Sequence, residues 1–221
     1  MTVLAVTGTD TEVGKTVVTA AIAATQLSLG RTVAVVKPAQ TGIGSGEDGD
    51  LAEIRRLAGG VSTHEGVRLP DPLAPDTAAR VRGLALPSLA EQRDLVGTVA
   101  GRHDVTIVEG SGGLLVRLGE DFTLLDVLAP YDATWVVVAR AGLGTLNHTE
   151  LTVRALRAAA VDIRGIVVGT WPEHPGQAEL QNLADLPRVT GVPLLGRLPE
   201  NASVLPVHQF RRASLDWLPV F

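Results

Sequence analysis

The stretch TVLAVTGTDTEVGKT (2–16) runs from an apolar segment into a glycine-containing loop that ends in GKT. An apolar strand, such a loop and then a helical pattern are the context of a loop that wraps around phosphate groups. Amide groups at the helix start point at the anion, and the helix dipole favours it. The usual loop has four residues between its glycines, whereas Gly8 and Gly14 enclose five here. A plain glycine turn before a helix is the alternative interpretation.

Short apolar runs alternate with helical patterns on both sides of this loop. Because the runs are apolar without alternation, they predict strands that are buried on both faces. The chain therefore predicts an α/β fold with a doubly wound, mostly parallel sheet flanked by helices, as one domain over 1–221. The predicted strands are 2–8, 32–38, 104–110, 133–140, 162–170 and 192–199, and the predicted helices are 16–30, 50–59, 88–102, 123–130, 145–160 and 176–190.

Four smaller features complete this outline. Gly30 is a candidate helix C-cap, and Ser88 with Glu91 fits a capping box. Residues 114–118 predict a short edge strand, and residues 60–87 predict mostly loop because they are rich in Pro and Gly.

The composition limits the possible partners and compartments. The net charge of −5 argues against a nucleic-acid binder or an acidic-membrane binder, since both need a basic surface. The 221 residues include no cysteine, which excludes disulfides, thiolate metal sites and cysteine nucleophiles. The sequence shows neither a signal peptide nor an apolar stretch of about 18 residues. We therefore expect a cytoplasmic protein that binds neither nucleic acid nor membranes.

Ligands of parallel α/β sheets bind at the carboxyl ends of the strands, so the residues that follow strands are the candidate site. In the first loop, Lys15 would neutralise the outer phosphates and the Thr16 hydroxyl would bind Mg²⁺. In KPAQTG (37–42), Lys37 ends an apolar strand and would place a second ammonium at the terminal phosphate. The alternative for Lys37 is a lysine that extends from the sheet edge into solvent.

An acidic residue at the tip of a buried strand is costly unless it is paired or bound to a metal. Glu109, in VEGSGG (108–113), has this position and predicts a Mg²⁺ ligand; an ion pair with a nearby lysine is the alternative. Asp48 and Asp50 precede the helix at 50–59, and either carboxylate could join Thr16 and Glu109 around the metal. For Asp50 a helix N-cap is the other interpretation.

The stretch AGLGTLNHT (141–149) predicts a helix whose first amides could bind a further anion such as a carboxylate. An ordinary capped helix start is equally consistent with it. His148 is more simply a solvated or packed histidine than a catalyst, and the other histidines show no metal spacing.

GTDTEVGKT, KPAQTG, VEGSGG and GTLNHT have the order and spacing found in dethiobiotin synthetases, and the resemblance covers residues 2 to about 201. It implies a P-loop-type, homodimeric, ATP- and Mg²⁺-dependent ligase. Such an enzyme closes the ureido ring of dethiobiotin from 7,8-diaminopelargonic acid and CO₂, through a carbamate and a carbamic–phosphoric anhydride. Five residues between the glycines are a feature of that family.

The resemblance also implies roles for individual residues. Lys15, Lys37 and Thr11 would be catalytic, and Asp50 rather than Asp48 would join Thr16 and Glu109 around Mg²⁺. Thr41 would bind the diamine, and Leu146 and Asn147 would bind the substrate carboxylate across the dimer interface. The implied nucleotide contacts are Glu12, Val13, Gly14, Lys15, Thr16, Val17, Asp50, Glu109, Gly110, Ser111, Gly112, Gly169, Thr170, Pro199, Glu200 and Asn201.

One departure from the family pattern concerns the nucleotide base. Many members have an asparagine that reads adenine where Gly169 and Thr170 stand here, so no side-chain amide is available at that point. Backbone contacts from 169–170 and from Pro199, Glu200 and Asn201 could still hold a base. We therefore expect weak discrimination among nucleoside triphosphates. The main alternative function is a partition-type P-loop ATPase switch. Those proteins carry a lysine near the start of the loop, where this chain has Thr9 and Asp10.

Overall fold

The computed structural model describes residues 1–221, and all seven strands belong to one parallel sheet in the order β3-β2-β4-β1-β5-β6-β7. The strands are β1 Thr2–Gly8, β2 Val33–Thr41, β3 Ser62–Leu69, β4 Val105–Gly113, β5 Thr134–Ala139, β6 Asp162–Trp171 and β7 Leu194–Pro199. The helices are α1 Lys15–Ser28, α2 Asp50–Ala58, α3 Pro75–Arg82, α4 Leu89–Ala100, α5 Leu124–Leu128, α6 Thr145–Ala158, α7 Gln177–Thr190 and α8 Val207–Trp217, with a 3₁₀ turn at Ala202–Val204.

Helices cover both faces of the sheet, which confirms the doubly wound prediction. Alternate residues of β1 enter different cores, since Val3 and Ala5 face one side and Leu4 and Val6 face the other. The first core includes side chains of α4, α5, α6 and α7, and the second includes those of α1, α2 and α8. None of these helices is long and apolar enough to cross a membrane.

The region 60–87 was predicted as mostly loop, and this prediction is wrong. It contains β3 and α3. β3 is an edge strand of sequence STHEGVRL, and most of its side chains are only partly buried, so it lacks the apolar run of the central strands. α3 does carry local signals, namely Pro75 in its first turn and Gly83 in a left-handed conformation at its end.

The predicted edge strand at 114–118 is also wrong. β4 ends at Gly113, and the following residues form a turn. The Val116 amide donates to the Gly113 carbonyl at 3.2 Å, and the Leu118 amide donates to the Phe122 carbonyl at 3.0 Å. These local bonds occupy the segment, while Leu114 and Leu118 are buried in the core. The apolar residues therefore reflect packing of a loop.

Two predicted helix ends are resolved by the backbone. The capping box of Ser88 and Glu91 is present at the start of α4. Gly30 has a φ of 76° and follows Leu29, which is the C-cap residue of α1, so the glycine lies one position beyond the cap itself.

Pro38 lies inside β2 and changes how this strand pairs. β2 pairs with β4 from Val33 to Val36 and no further, while its pairing with β3 continues to Thr41. A proline has no amide hydrogen to donate to a ladder. Pro38 faces β3, because a Cβ added at Gly66 would meet the Pro38 carbonyl oxygen, and the ladder to β3 skips Pro38. On the other side, the Ser111 hydroxyl of β4 donates to the Ala39 carbonyl, so β2 and β4 stay linked through a side chain beyond the end of their backbone ladder.

Candidate active site

The loop between β1 and α1 has the geometry of an anion cradle. α1 begins at Lys15, and its N-cap residue Gly14 has a φ of 90° and no side-chain cap. Glu12 also has a positive φ of 55°, which is uncommon for a residue with a side chain. A loop held in this conformation directs first-turn amides outward, as an anion site requires.

Lys15 folds back over its own loop. Its Nζ donates to the Asp10 carbonyl at 2.8 Å. Burial and then the nearby Lys37 ammonium lower the pKa of Lys15 to about 8. A bound phosphate would reverse this effect, because a negative charge favours the protonated lysine.

Lys37 contacts both carboxylates that were predicted as metal ligands. Its Nζ lies 2.6 Å from Asp50 Oδ2 and 2.8 Å from Glu109 Oε1, and it donates to the Gly110 carbonyl at 3.2 Å. Lys37 is 3% exposed and Glu109 is fully buried, so Lys37 does not extend into solvent. Burial alone would lower the pKa of Lys37, but the carboxylates of Glu109 and Asp50 outweigh it and raise the pKa above its ordinary value.

The ion pair considered for Glu109 is thus present, and it is compatible with a metal role. Glu109 Oε1 accepts a hydrogen bond from the Thr16 hydroxyl at 3.2 Å, while Oε2 is buried without a partner. An orphaned buried carboxylate oxygen is costly unless a cation completes it. Thr16, Asp50 and Glu109 offer only hard oxygen donors, which fits Mg²⁺. No group of three or more His, Cys, Asp or Glu side chains that could hold a metal ion occurs in the molecule, and this site itself offers two carboxylates and a hydroxyl.

Asp50 does not cap α2, so that alternative is wrong. It is the first helical residue, and the N-cap position belongs to Gly49. Its carboxylate instead pairs with Lys37.

A cleft of about 730 Å³ gathers most of the predicted site at the carboxyl edge of the sheet. The predicted residues that line it are Thr11, Glu12, Gly14, Lys15, Thr16, Lys37, Thr41, Asp50, Ser111, Gly112 and Thr170. Val13, Glu109 and Gly110 are buried behind this surface, and Val17 is partly buried.

The sequence analysis missed one wall of the cleft. This wall is mostly apolar and consists of Ile43, Pro72, Leu73, Ala74, Pro75 and Val116, and Gln40 also lines the cleft. Residues 72–75 connect β3 to α3, and the Gly42 amide donates to the Asp71 carbonyl at 3.0 Å to hold this connection near the end of β2. Once β3 is recognised, the connection after it falls at the carboxyl edge, which is the signal that could have located this wall.

The predicted base contacts lie at the ends of β6 and β7. Trp171 pairs with Pro199, and the Glu200 amide donates to the Trp171 carbonyl at 2.9 Å, so residues 169–170 and 199–201 come together. Gly169 packs against the phosphate loop so closely that an added Cβ would lie 2.0 Å from the Val13 carbonyl oxygen. The glycine is therefore required for this close approach, and no larger residue could stand there without moving the loop.

The structure does not bring Leu146 and Asn147 into the cleft of their own chain. Both lie in the first turn of α6, whose N-cap residue Gly144 has a φ of 91° and no side-chain cap. The loop before this helix exposes Leu143, which is 91% accessible, and His148 is also exposed.

Comparisons with known proteins give the family context. A family model described as "AAA domain" matches residues 2–207. The chain is 54% identical to the ATP-dependent dethiobiotin synthetase BioD of Rhodococcus jostii over 98% of this chain and 94% of that protein. It is 52% identical to the protein of the same description from Streptomyces coelicolor, over 99% of this chain and 92% of that protein. Among solved structures, the septum site-determining protein MinD of Pyrococcus horikoshii with Mg-ADP superposes with a TM-score of 0.63 at 14% identity, covering 96% of this chain and 89% of that one. This last likeness shows the fold alone.

Proposed function

The chain belongs to the ATP-dependent dethiobiotin synthetase family, and from this membership we propose how its residues carry out the reaction. The protein is an ATP-dependent ligase of biotin biosynthesis. We propose that it joins CO₂ to the two amines of 7,8-diaminopelargonic acid, with ATP as co-substrate, and releases dethiobiotin, ADP and phosphate. The observation that carries this proposal is the meeting of two buried ammonium groups and two carboxylates at one cleft.

The proposed reaction has three bond-forming steps. One neutral amine of the diamine attacks CO₂ and loses a proton, which gives a carbamate. A carbamate oxygen then attacks the γ-phosphorus of ATP, ADP leaves, and a carbamic–phosphoric anhydride forms. The second amine attacks the carbonyl carbon of the anhydride, loses a proton and expels phosphate, which closes the five-membered ring.

Lys15 and Lys37 would reduce the main electrostatic repulsion in this series of reaction steps. The carbamate and the triphosphate are both anions and must come within bonding distance of each other. Two ammonium groups fixed in a largely buried site stabilise charge on the transferring phosphoryl group more effectively than they would in water. No protein nucleophile is required, since positioning and electrostatics account for the catalysis.

Mg²⁺ would be held by Thr16, Asp50 and Glu109. This assignment rests on the orphaned Glu109 Oε2, the Thr16 hydroxyl beside it and the oxygen-only donor set. When bound, the ion would neutralise charge on the phosphate oxygens. Lys37 now contacts both carboxylates, so the ammonium and the ion would share them, and the ammonium would keep its hydrogen bond to the Gly110 carbonyl.

The diamine would lie in the cleft between polar and apolar walls. Thr11 and Thr41 would hydrogen-bond the reacting end, and the apolar wall formed by residues 72–75 with Ile43 suits the methylene chain of the substrate. The substrate carboxylate would bind at Leu146 and Asn147 of a second subunit. We therefore propose a homodimer, and the exposed Leu143 beside that helix start supports a buried contact there.

The nucleotide base would rest against Gly169, Thr170, Pro199, Glu200 and Asn201. At positions 169–170 no side-chain amide is present, since Gly169 offers only backbone groups and Thr170 a hydroxyl that can donate or accept. We therefore propose that ATP and other nucleoside triphosphates are used with similar efficiency.

A partition-type ATPase switch is not favoured. The solved structures of MinD and of a ParA family ATPase resemble this chain at 14–16% identity, a level that shows the shared fold only. The relatives of about 50% identity point instead to a ligase. We also propose that residues 1–221 act as one cytoplasmic domain, a view supported by the single sheet and the biosynthetic family.

A single assay tests the proposed function. Purified protein is incubated with ATP, Mg²⁺, bicarbonate and diaminopelargonate, and dethiobiotin is measured by mass spectrometry alongside phosphate release. We expect one dethiobiotin for each phosphate, with both dependent on the diamine. Phosphate release that continues unchanged without the diamine, and without any dethiobiotin, would favour the switch and reject the ligase.

A further inference from the structure

α2 begins without a capping side chain of its own. Its N-cap residue is Gly49, with a φ of −112° and a ψ of −167°. This extended backbone is the one that Ser, Asn or Asp adopts at an N-cap, and any residue can adopt it. The glycine is therefore not required by the backbone.

The cap comes instead from β2. Gln40 is 4% exposed, and its Oε1 accepts a hydrogen bond from the Asp50 amide at 2.9 Å. Its Nε2 donates to the Thr41 carbonyl at 3.3 Å, which fixes the orientation of the side-chain amide. A Cβ added at Gly49 would lie 2.8 Å from Gln40 Oε1, so the glycine leaves the space that this amide fills.

A cap from β2 fixes the start of α2 relative to the sheet, which a capping side chain within α2 would not do. A serine at position 49 could satisfy the first turn of α2, but it would not attach that turn to β2. Gln40 attaches the first residue of α2 to the strand that also carries Lys37. That first residue is Asp50, whose carboxylate lies 2.6 Å from Lys37 Nζ. One buried amide therefore sets the distance between the two charges.

We propose that Gln40 is a positioning residue, which holds the Asp50 carboxylate in register with Lys37 and Glu109. This inference rests on the proposed function, because the register matters only if Lys37 and Asp50 serve the same reaction. Small displacements of positioned groups lower turnover strongly, by about 100-fold for a shift of about 1 Å.

The test moves the cap from β2 to the helix itself. Gln40→Ala removes the tie and frees the space beside Gly49, and Gln40→Ala/Gly49→Ser then places a local cap there. Gln92→Ala is the matched control, because Gln92 is a buried glutamine that donates to the Pro38 carbonyl at 3.1 Å but does not contact α2. The free energy of unfolding, kcat and the KM for ATP are measured for each variant.

We expect Gln40→Ala to lower the folding equilibrium constant by about five- to tenfold, as loss of a cap does, and Gly49→Ser to restore it. We expect kcat to fall roughly 10- to 100-fold in both variants, while the KM for ATP changes less than about threefold. Gln92→Ala should lower stability and keep the parental kcat. Recovery of kcat together with stability in the double variant would show an ordinary helix cap and would overturn the inference.

A second measurement does not depend on turnover. Asp50→Asn is added to the parent and to Gln40→Ala/Gly49→Ser, and its cost in unfolding free energy is compared. If Gln40 holds Asp50 against Lys37, the cost in the second background is at most half of that in the parent; an equal cost would reject the positioning role. If the parent forms no dethiobiotin, the proposed function fails, while this comparison still decides whether Gln40 positions Asp50.

Discussion

The two halves of the sheet end very differently at the carboxyl edge. On the side of β1, β2 and β4 lie Lys15, Lys37 and Glu109, which are the only buried charged side chains in the molecule. The side of β5, β6 and β7 ends in Ala139, Trp171 and Pro199, with no buried charge. One half thus carries all the buried charges, which we propose serve phosphoryl transfer, and the other half carries none.

This contrast explains how one edge can combine strong electrostatics with nucleotide binding. Buried charges are stable only when they are paired, and the contacts of Lys37 with Glu109 and Asp50 meet that condition within one half of the site. The uncharged half can then approach the phosphate loop very closely, as Gly169 does.

The largest effect is expected in the charged half, for Lys37→Ala. We expect kcat to fall by about 1,000-fold, because the proposed reaction loses a buried charge that would stabilise the transferring phosphoryl group, while ATP affinity changes less than about tenfold. The measurement is steady-state kinetics with equilibrium ATP binding. Arg188→Ala, at an exposed arginine on α7, is the control and should resemble the parent.

Removing Lys37 also leaves Glu109 buried without its cation, which costs about 3–5 kcal/mol of stability in comparable pairs. The double variant Lys37→Ala/Glu109→Gln should therefore recover much of the stability and remain inactive. A parallel loss of ATP affinity and kcat would instead assign Lys37 to binding alone.

The uncharged half is tested by Gly169→Ala. The new Cβ would meet the Val13 carbonyl oxygen at 2.0 Å, so the phosphate loop must move. We expect ATP affinity to fall about 10- to 100-fold and stability to fall by about 1–3 kcal/mol. Calorimetric titration and thermal unfolding measure these effects. Gly101→Ala is the control, since a Cβ there meets nothing closer than 3.4 Å. Parental affinity in Gly169→Ala would show that the two halves are not packed together as described.

The pH dependence of ATP affinity tests the charged half further, through Lys15. The pKa of Lys15 is about 8 because of burial and Lys37, and a triphosphate binds the protonated lysine. Below about pH 8 the lysine already carries its proton, so affinity is nearly constant. Above that value binding must take up a proton, and affinity should fall by up to about tenfold per pH unit. Lys15→Arg stays charged throughout and should lack this slope. A parent profile that is flat to pH 10 would contradict the lowered pKa.

A matched pair of aspartates, Asp48 and Asp50, tests the proposed metal ligands. We expect Asp50→Asn and Glu109→Gln each to raise the Mg²⁺ concentration for half-maximal activity about tenfold, because one charged donor is lost. Asp48→Asn lies two residues away in the exposed loop and should leave the Mg²⁺ titration unchanged. If Asp48→Asn shifts the titration and Asp50→Asn does not, the ligand assignment is reversed.

The smallest effect concerns the base. Because backbone groups dominate around Gly169 and Thr170, ATP and CTP should differ in kcat/KM by about fivefold or less, the worth of roughly one hydrogen bond. Side-by-side turnover with the two nucleotides measures this ratio. A preference of more than about 100-fold for ATP would show that a side chain of the uncharged half reads the base after all.

The local sequence pattern was sufficient to predict most of the strands. Continuous apolar runs bounded by glycine loops predict buried parallel strands wherever they occur, and that prediction is confirmed for β1, β2, β4, β5, β6 and β7. β3 escaped this reasoning because an edge strand needs no apolar run on either face. The strand prediction at 114–118 was wrong because a loop can bury leucines without pairing to a strand.

The sequence by itself determined which residues would reach the carboxyl edge, since Lys15, Lys37 and Glu109 each follow or end an apolar run of the sequence. Only the tertiary structure decided which of them touch. Lys37 and Glu109 are 72 residues apart in the chain, and their contact depends on β2 and β4 being neighbours in the sheet. The cap that Gln40 provides for α2 also depends on the tertiary structure, because it joins the helix to β2. Strand order and the distances between side chains follow from packing of the whole chain, which periodicity within a segment does not encode.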